Sequence, residues 1–195
     1  DEGAWQTSLL NEEVLEILSK FKNIKIGVDV ASSSLYKNSE YLYKNKSLSR
    51  ETQIHYMNSL IKKYNILYLE DPLQEEDFNG FSKIIKKNLV VGDDLIATQI
   101  SRLKKAIKIK SINAIIIKPN QNGSLIELGE IFNISKKYNI KTIISHRSGE
   151  TLDNSLADYA FGFQADYIKC GISTKWRETK LNRLVEIEKQ LHKSL

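Results

Sequence analysis

The sequence predicts an α/β fold of the (β/α)8-barrel type, and three observations predict it. Short apolar runs recur at residues 24–31, 66–71, 89–94, 112–118, 140–145 and 165–170. Amphipathic stretches of helical pattern separate them. The runs also end on reactive side chains: Asp29, Glu70, Asp93, Lys118, His146 and Lys169. Continuous apolar character over about five to eight residues is what a strand covered on both faces requires. Alternation with helices implies parallel strands joined by right-handed crossovers. In an open doubly wound sheet, functional groups gather at one switch point. Reactive groups on successive strand ends instead require ends that converge, which a closed barrel provides.

The elements follow in order. Helices are expected over 12–21, 50–64, 81–87, 100–106, 124–138 and 151–163, with a last one over 177–192. Ser49, at the head of Ser49-Arg50-Glu51-Thr52, and Ser124 are the side chains expected to cap their helices. A closed barrel needs eight strands and about 250 residues, whereas six strands are evident. Asp1-Glu2-Gly3 reads as the exit of a strand whose body precedes it. The expected organisation is therefore one domain over residues 1–195, an incomplete barrel of about six βα units that is truncated at its N-terminus.

At 195 residues and 41% hydrophobic, the chain can bury one sizeable core. No apolar run reaches the roughly 18 residues of a membrane span, and no leader pattern follows Asp1. The single cysteine, Cys170, excludes an internal disulfide and fits a reducing cytoplasm. The net charge is +5 and the isoelectric point about 9.1. Pairs such as Lys62-Lys63, Lys104-Lys105 and Lys136-Lys137 are spread over helix faces without a nucleic-acid-binding motif, so solvated faces are expected rather than a nucleic-acid partner.

The strand ends carry the chemistry. Asp29, Glu70 and Asp93 each close an apolar strand, where a bare carboxylate is costly. Three brought together repel unless a cation joins them, and all-oxygen ligands favour Mg²⁺ over zinc or copper. Lys118 leaves an Ile-rich strand at a desolvated place, where burial should lower its pKa and let it act as a general base. Ser145-His146-Arg147-Ser148-Gly149-Glu150-Thr151 lies between a strand and a helix. A buried Arg147 beside His146, with Ser148 and the following helix N-terminus, would make an anion site. Lys169 adds a second lysine to the rim. Glu2, facing Lys118, could serve as a general acid. His55 and His192 read as surface residues of helices.

These segments together resemble enolase, the phosphopyruvate hydratase family. The matching pieces are Asp1-Glu2-Gly3-Ala4-Trp5, Gly27-Val28-Asp29, Glu70-Asp71-Pro72, Gly92-Asp93-Asp94-Leu95, Lys118-Pro119-Asn120-Gln121-Asn122-Gly123-Ser124-Leu125, Ser145 to Thr151, and Ile168-Lys169, in the family's order. Asp-Glu-Gly-Ala-Trp resembles the archaeal branch. The resemblance implies a cytoplasmic lyase that dehydrates 2-phosphoglycerate to phosphoenolpyruvate. It implies Glu2 as proton donor, Lys118 as the base at C2, and His146 near the substrate hydroxyl. Arg147 and Ser148 would hold the phosphate, Lys169 would contact the substrate, and Asp29, Glu70 and Asp93 would bind Mg²⁺. The family also carries an N-terminal lid domain and a first barrel strand that this sequence lacks. The expected partners are therefore the small-molecule substrate and either a second copy of the chain or a complementing N-terminal chain. A catalytically silent enolase-like binding protein, and a superfamily enzyme acting on another carboxylate, are the competing readings.

Overall fold

The computed structural model describes residues 5–171 and 174–193. Glu2, the expected proton donor, lies outside the described residues. Contacts divide the chain into two compact units, one spanning Thr7–Ile115 and the other built from Ile116 onward.

In the first unit, α1 (Asn11–Ser19) leads to β1 (Gly27–Asp29) and the short α2 (Ser32–Leu35). Then come β2 (Tyr36–Lys37), β3 (Glu40–Leu42), β4 (Ser47–Leu48) and α3 (Arg50–Tyr64). After these lie β5 (Tyr68–Glu70), α4 (Phe78–Ser82), β6 (Leu89–Gly92), α5 (Ile100–Ile109) and the start of β7 (Ala114–Ile117). Strands β1, β5, β6 and β7 pair in parallel in that order, with Asp29 opposite Glu70, Glu70 opposite Val91, and Gly92 opposite Ile115. Leu69, Val90, Val91, Ala114 and Ile115 are essentially inaccessible to solvent, as strands covered on both faces require. Helix α3 buries Ile54, Met57, Leu60, Ile61 and Tyr64.

Local chemistry sets the helix limits. The Ser49 hydroxyl accepts from the Thr52 amide at 3.4 Å, and Asn65 ends α3 in the left-handed region at φ 48°. Expectation and structure coincide over residues 50–64. Helix α4 starts three residues earlier than expected. Asp77 accepts from the Gly80 amide at 2.7 Å and is gripped by the Arg50 guanidinium at 2.7 and 2.9 Å, so the cap falls there.

The sequence reading places no strand between residues 32 and 49, where β2, β3 and β4 form a small antiparallel sheet. Two- and three-residue strands are too short to show alternation. Tyr41 anchors this sheet. It is fully buried, its hydroxyl accepts from the Gln74 amide at 3.1 Å, and burial pushes its pKa up to about 12.

The second unit contains α6 (Pro119–Asn122), α7 (Leu125–Lys137), β8 (Lys141–Ser145), α8 (Ser155–Gly162), β9 (Tyr167–Lys169) and α9 (Lys175–Lys193). Ser124 caps α7, accepting from the Glu127 amide at 3.3 Å. Strands β8 and β9 are parallel, with Ser145 opposite Lys169. Ile144, Leu156, Ala160 and Cys170 form one core cluster. Helix α8 begins at Ser155, not at the expected residue 151. The Asp153 carboxylate accepts from the Ser155 amide at 2.8 Å and from its hydroxyl at 2.5 Å, so the segment before it turns instead of coiling.

The architecture is thus α/β of the TIM-barrel type, with six strands alternating with helices among the described residues, where a closed barrel has eight. No helix among the described residues is long and apolar enough to cross a membrane.

Gly80 lies under its own cap. A Cβ there would overlap the Asp77 carboxylate and come within 2.6 Å of Leu73 Cδ1. Gly80→Ala is expected to cost about 1–3 kcal/mol, read as a lower urea midpoint at an unchanged slope.

Candidate active site

Strand register within the first unit brings acidic side chains to neighbouring strand ends. Asp29 and Glu70 are paired residues on adjacent parallel strands, and Asp93 follows the last residue of β6 directly. Glu70 is wholly buried and Asp93 is 9% exposed. Asp29 is exposed, contrary to the expectation of a buried carboxylate, because it is the last residue of β1 and turns to accept its own loop's Ala31 amide at 3.1 Å.

Tyr68 lies beside one of these carboxylates. Its side chain shares a face of β5 with Glu70, to which its hydroxyl donates a hydrogen bond. Burial, the Glu70 charge and that bond, and then the charges of Asp29 and Asp93, hold the phenol far above its usual range.

Asp71, Asp93 and Asp94 form a still tighter group, with ligand-type atoms within 4.8 Å of one another. Their roles differ. The Asp71 carboxylate accepts the Asp93 and Asp94 amides at 2.9 and 2.8 Å, so both of its oxygens are used to hold the β6 exit. Burial holds its pKa well above the ordinary range despite those two bonds. Asp71 fixes the loop that presents Asp93, a role the sequence reading missed. The signal was available in Glu70-Asp71-Pro72, since an aspartate before a proline at a strand exit is turn chemistry.

The second unit carries a basic and polar group of its own. Lys118 is half-buried and occupies the position just before α6, directly after β7. Ser145 and Lys169 are register partners, and the His146 amide donates to the Lys169 carbonyl at 2.8 Å. Arg147 reaches Asn120, its Nη1 donating to Oδ1 at 3.1 Å, which joins the 145–151 loop to the segment after Lys118. A cavity of about 300 Å³ lies here, bordered by Asn120, Ser145, Arg147, Glu150 and Lys180.

Two expectations about this loop need correction. Arg147 and Ser148 are exposed, because the loop carries them outward beyond Ser145. The helix N-terminus does not follow Ser148 closely, since α8 starts only at Ser155. The buried arginine is Arg177, on α9, which the sequence reading overlooked together with Lys180. Both are 1% exposed. Lys180 Nζ pairs with Glu150 at 2.7 Å and donates to the Thr151 and Trp176 carbonyls at 2.7 and 2.8 Å. His55 and His192 are exposed on helices, as expected.

Parallel strands alternating with helices, with charged side chains at their C-terminal ends, are the build of a TIM-barrel domain. Residues 7–195 match the family model described as the enolase C-terminal TIM barrel domain, and the chain belongs to the enolase family. It is 40% identical to the enolase of Archaeoglobus fulgidus over 99% of this chain and 51% of that protein. With the enolase of Thermoplasma acidophilum the identity is 40% over 98% and 51%, and with that of Sulfurisphaera tokodaii it is 46% over 85% and 41%. The chain spans about half the length of the curated relatives it matches.

Glu150 makes the loop sensitive to acid. Burial alone would raise its pKa, but the Lys180 ammonium and the Arg147 amide outweigh burial and hold it below the usual 4.5. A carboxylate depressed in the folded state adds stability that is present above 4.5 and lost as pH falls through the lower folded value. Urea unfolding at a series of pH values should show this loss, and Glu150→Gln should flatten it.

Proposed function

We propose that this chain supplies the catalytic barrel region for the Mg²⁺-dependent dehydration of 2-phosphoglycerate to phosphoenolpyruvate, a lyase reaction of glycolysis and gluconeogenesis. The observation that carries the reading is the placement of Asp29, Glu70 and Asp93 at the ends of three adjacent parallel strands in a chain of the enolase family. Its single free cysteine, buried Cys170, accords with a reducing cytoplasm.

The donor set fits the ion. Three carboxylates from neighbouring strand ends offer oxygen alone, which suits Mg²⁺ and leaves coordination positions for water and substrate. When bound by Asp29, Glu70 and Asp93, the ion would offset the negative charge that develops on the substrate carboxylate.

The residues of the chain divide the remaining work. Lys118 takes the proton from C2, and the electron pair of that bond moves into the adjoining carboxylate. The pair returns to form the C2–C3 double bond as the C3–O bond breaks. Glu2 protonates the departing hydroxide, so that water leaves. His146 sits beside that hydroxyl, Lys169 adds a positive charge toward the substrate, and Arg147 with Ser148 holds the phosphate. The exposure of Arg147 and Ser148 suits a charged group that arrives from solvent. The chain acts as a homo-oligomer.

The test follows phosphoenolpyruvate formation with Mg²⁺ present. Lys118→Ala should lower turnover by about 10²–10⁴, the range of a general base, and equal rates for variant and parent would sink the mechanism. Chelation of Mg²⁺ should abolish the same signal. If the chain binds 2-phosphoglycerate in a Mg²⁺-dependent way without turning it over, and Asp93→Ala loses that binding, the silent binding protein is the better reading.

A further inference from the structure

The loop after β8 is held from beneath by two buried cations of one helix. Arg177 and Lys180 are three residues apart on α9, on the face that also buries Ile187. Lys180 takes the C-terminal end of the loop through Glu150 and the Thr151 carbonyl. Glu150 in turn accepts the Arg147 amide at 2.8 Å, so the ion pair fixes the backbone at the centre of the loop. Arg177 takes the other end. Its Nη1 meets His146 Nδ1, and its Nη2 donates to the Ser148 carbonyl at 3.4 Å.

The contact between Arg177 and His146 has a chemical direction. A guanidinium keeps its charge at any accessible pH and carries donors only. The ring nitrogen that faces it must therefore accept, and the proton of the imidazole belongs on the other nitrogen. We propose that Arg177 is a positioning residue that locks His146 as the Nε2–H tautomer, so that His146 meets its substrate as a hydrogen-bond donor and not as a base. This rests on the reading of His146 as a substrate contact. Burial strengthens the lock, since His146 is 5% and Arg177 1% exposed and water competes poorly for either group.

The experiment is nitrogen-15 NMR of the imidazoles in the full chain, with the His146 signals assigned by their loss in His146→Gln. The expected spectrum has Nδ1 as an unprotonated, pyridine-type nitrogen and Nε2 bearing the proton. Arg177→Met should lose this single pattern for the averaged one of a mobile imidazole, and Arg177→Lys, which keeps a donor-only cation, should restore it. A proton on Nδ1 in the parent overturns the inference. So does an unchanged His146 pattern in a folded Arg177→Met. Should Arg177→Met not fold, the parent spectrum and Arg177→Lys still decide. Addition of 2-phosphoglycerate with Mg²⁺ should then shift the Nε2 proton. The absence of that shift would remove His146 from the substrate site, a failure of the proposed function that is separate from the tautomer result.

Discussion

The acidic strand ends of the first unit depend on one buried carboxylate, that of Asp71. Asp71 sits at φ 40°, a strained region that aspartate tolerates better than most residues. It uses nearly every polar group it has. Its amide donates to the Val91 carbonyl at 3.1 Å, its carbonyl accepts the Ser32 amide at 3.2 Å, and its side chain takes the Asp93 and Asp94 amides. The exits of β1, β5 and β6 are thereby tied to a single residue, and Asp29, Glu70 and Asp93 stand on those three exits. Burial of Asp71 is costly, and the hydrogen bonds offset that cost only while all three loops keep their places.

The histidine loop of the second unit uses the opposite device. Its exposed groups, Arg147 and Ser148, are left to solvent, and order comes from charges placed underneath them. Lys180 and Glu150 are a buried ion pair. Removing one partner of such a pair leaves the other uncompensated at a cost of about 3–5 kcal/mol. That penalty makes the loop geometry specific, because Glu150 cannot leave Lys180 without moving the Arg147 amide with it.

How much the sequence reveals depends on the range of the interaction concerned. The caps at Ser49 and Ser124 are readable because donor and acceptor lie three residues apart. The strand ends are readable because apolar runs stop abruptly on charged residues. The start of α8 is not, since Asp153 competes locally with helix formation and periodicity does not register such competition. The sheet of β2, β3 and β4 falls below the length at which alternation carries a signal. Arg177 and Lys180 pass for ordinary solvated charges. Their spacing with Leu184 and Ile187 on one helical stripe is the available clue that they face inward.

The anchoring of the histidine loop from α9 also fixes an order of assembly. Arg177 lies 31 residues after His146, and Lys180 lies 29 after Thr151. A growing polypeptide therefore exposes the loop well before the helix that shapes it has left the ribosome. Until then the loop has its residues but neither of the cations that arrange them. The loop therefore takes its shape only once α9 is released, so chains synthesised no further than β9 carry the motif in an unshaped state.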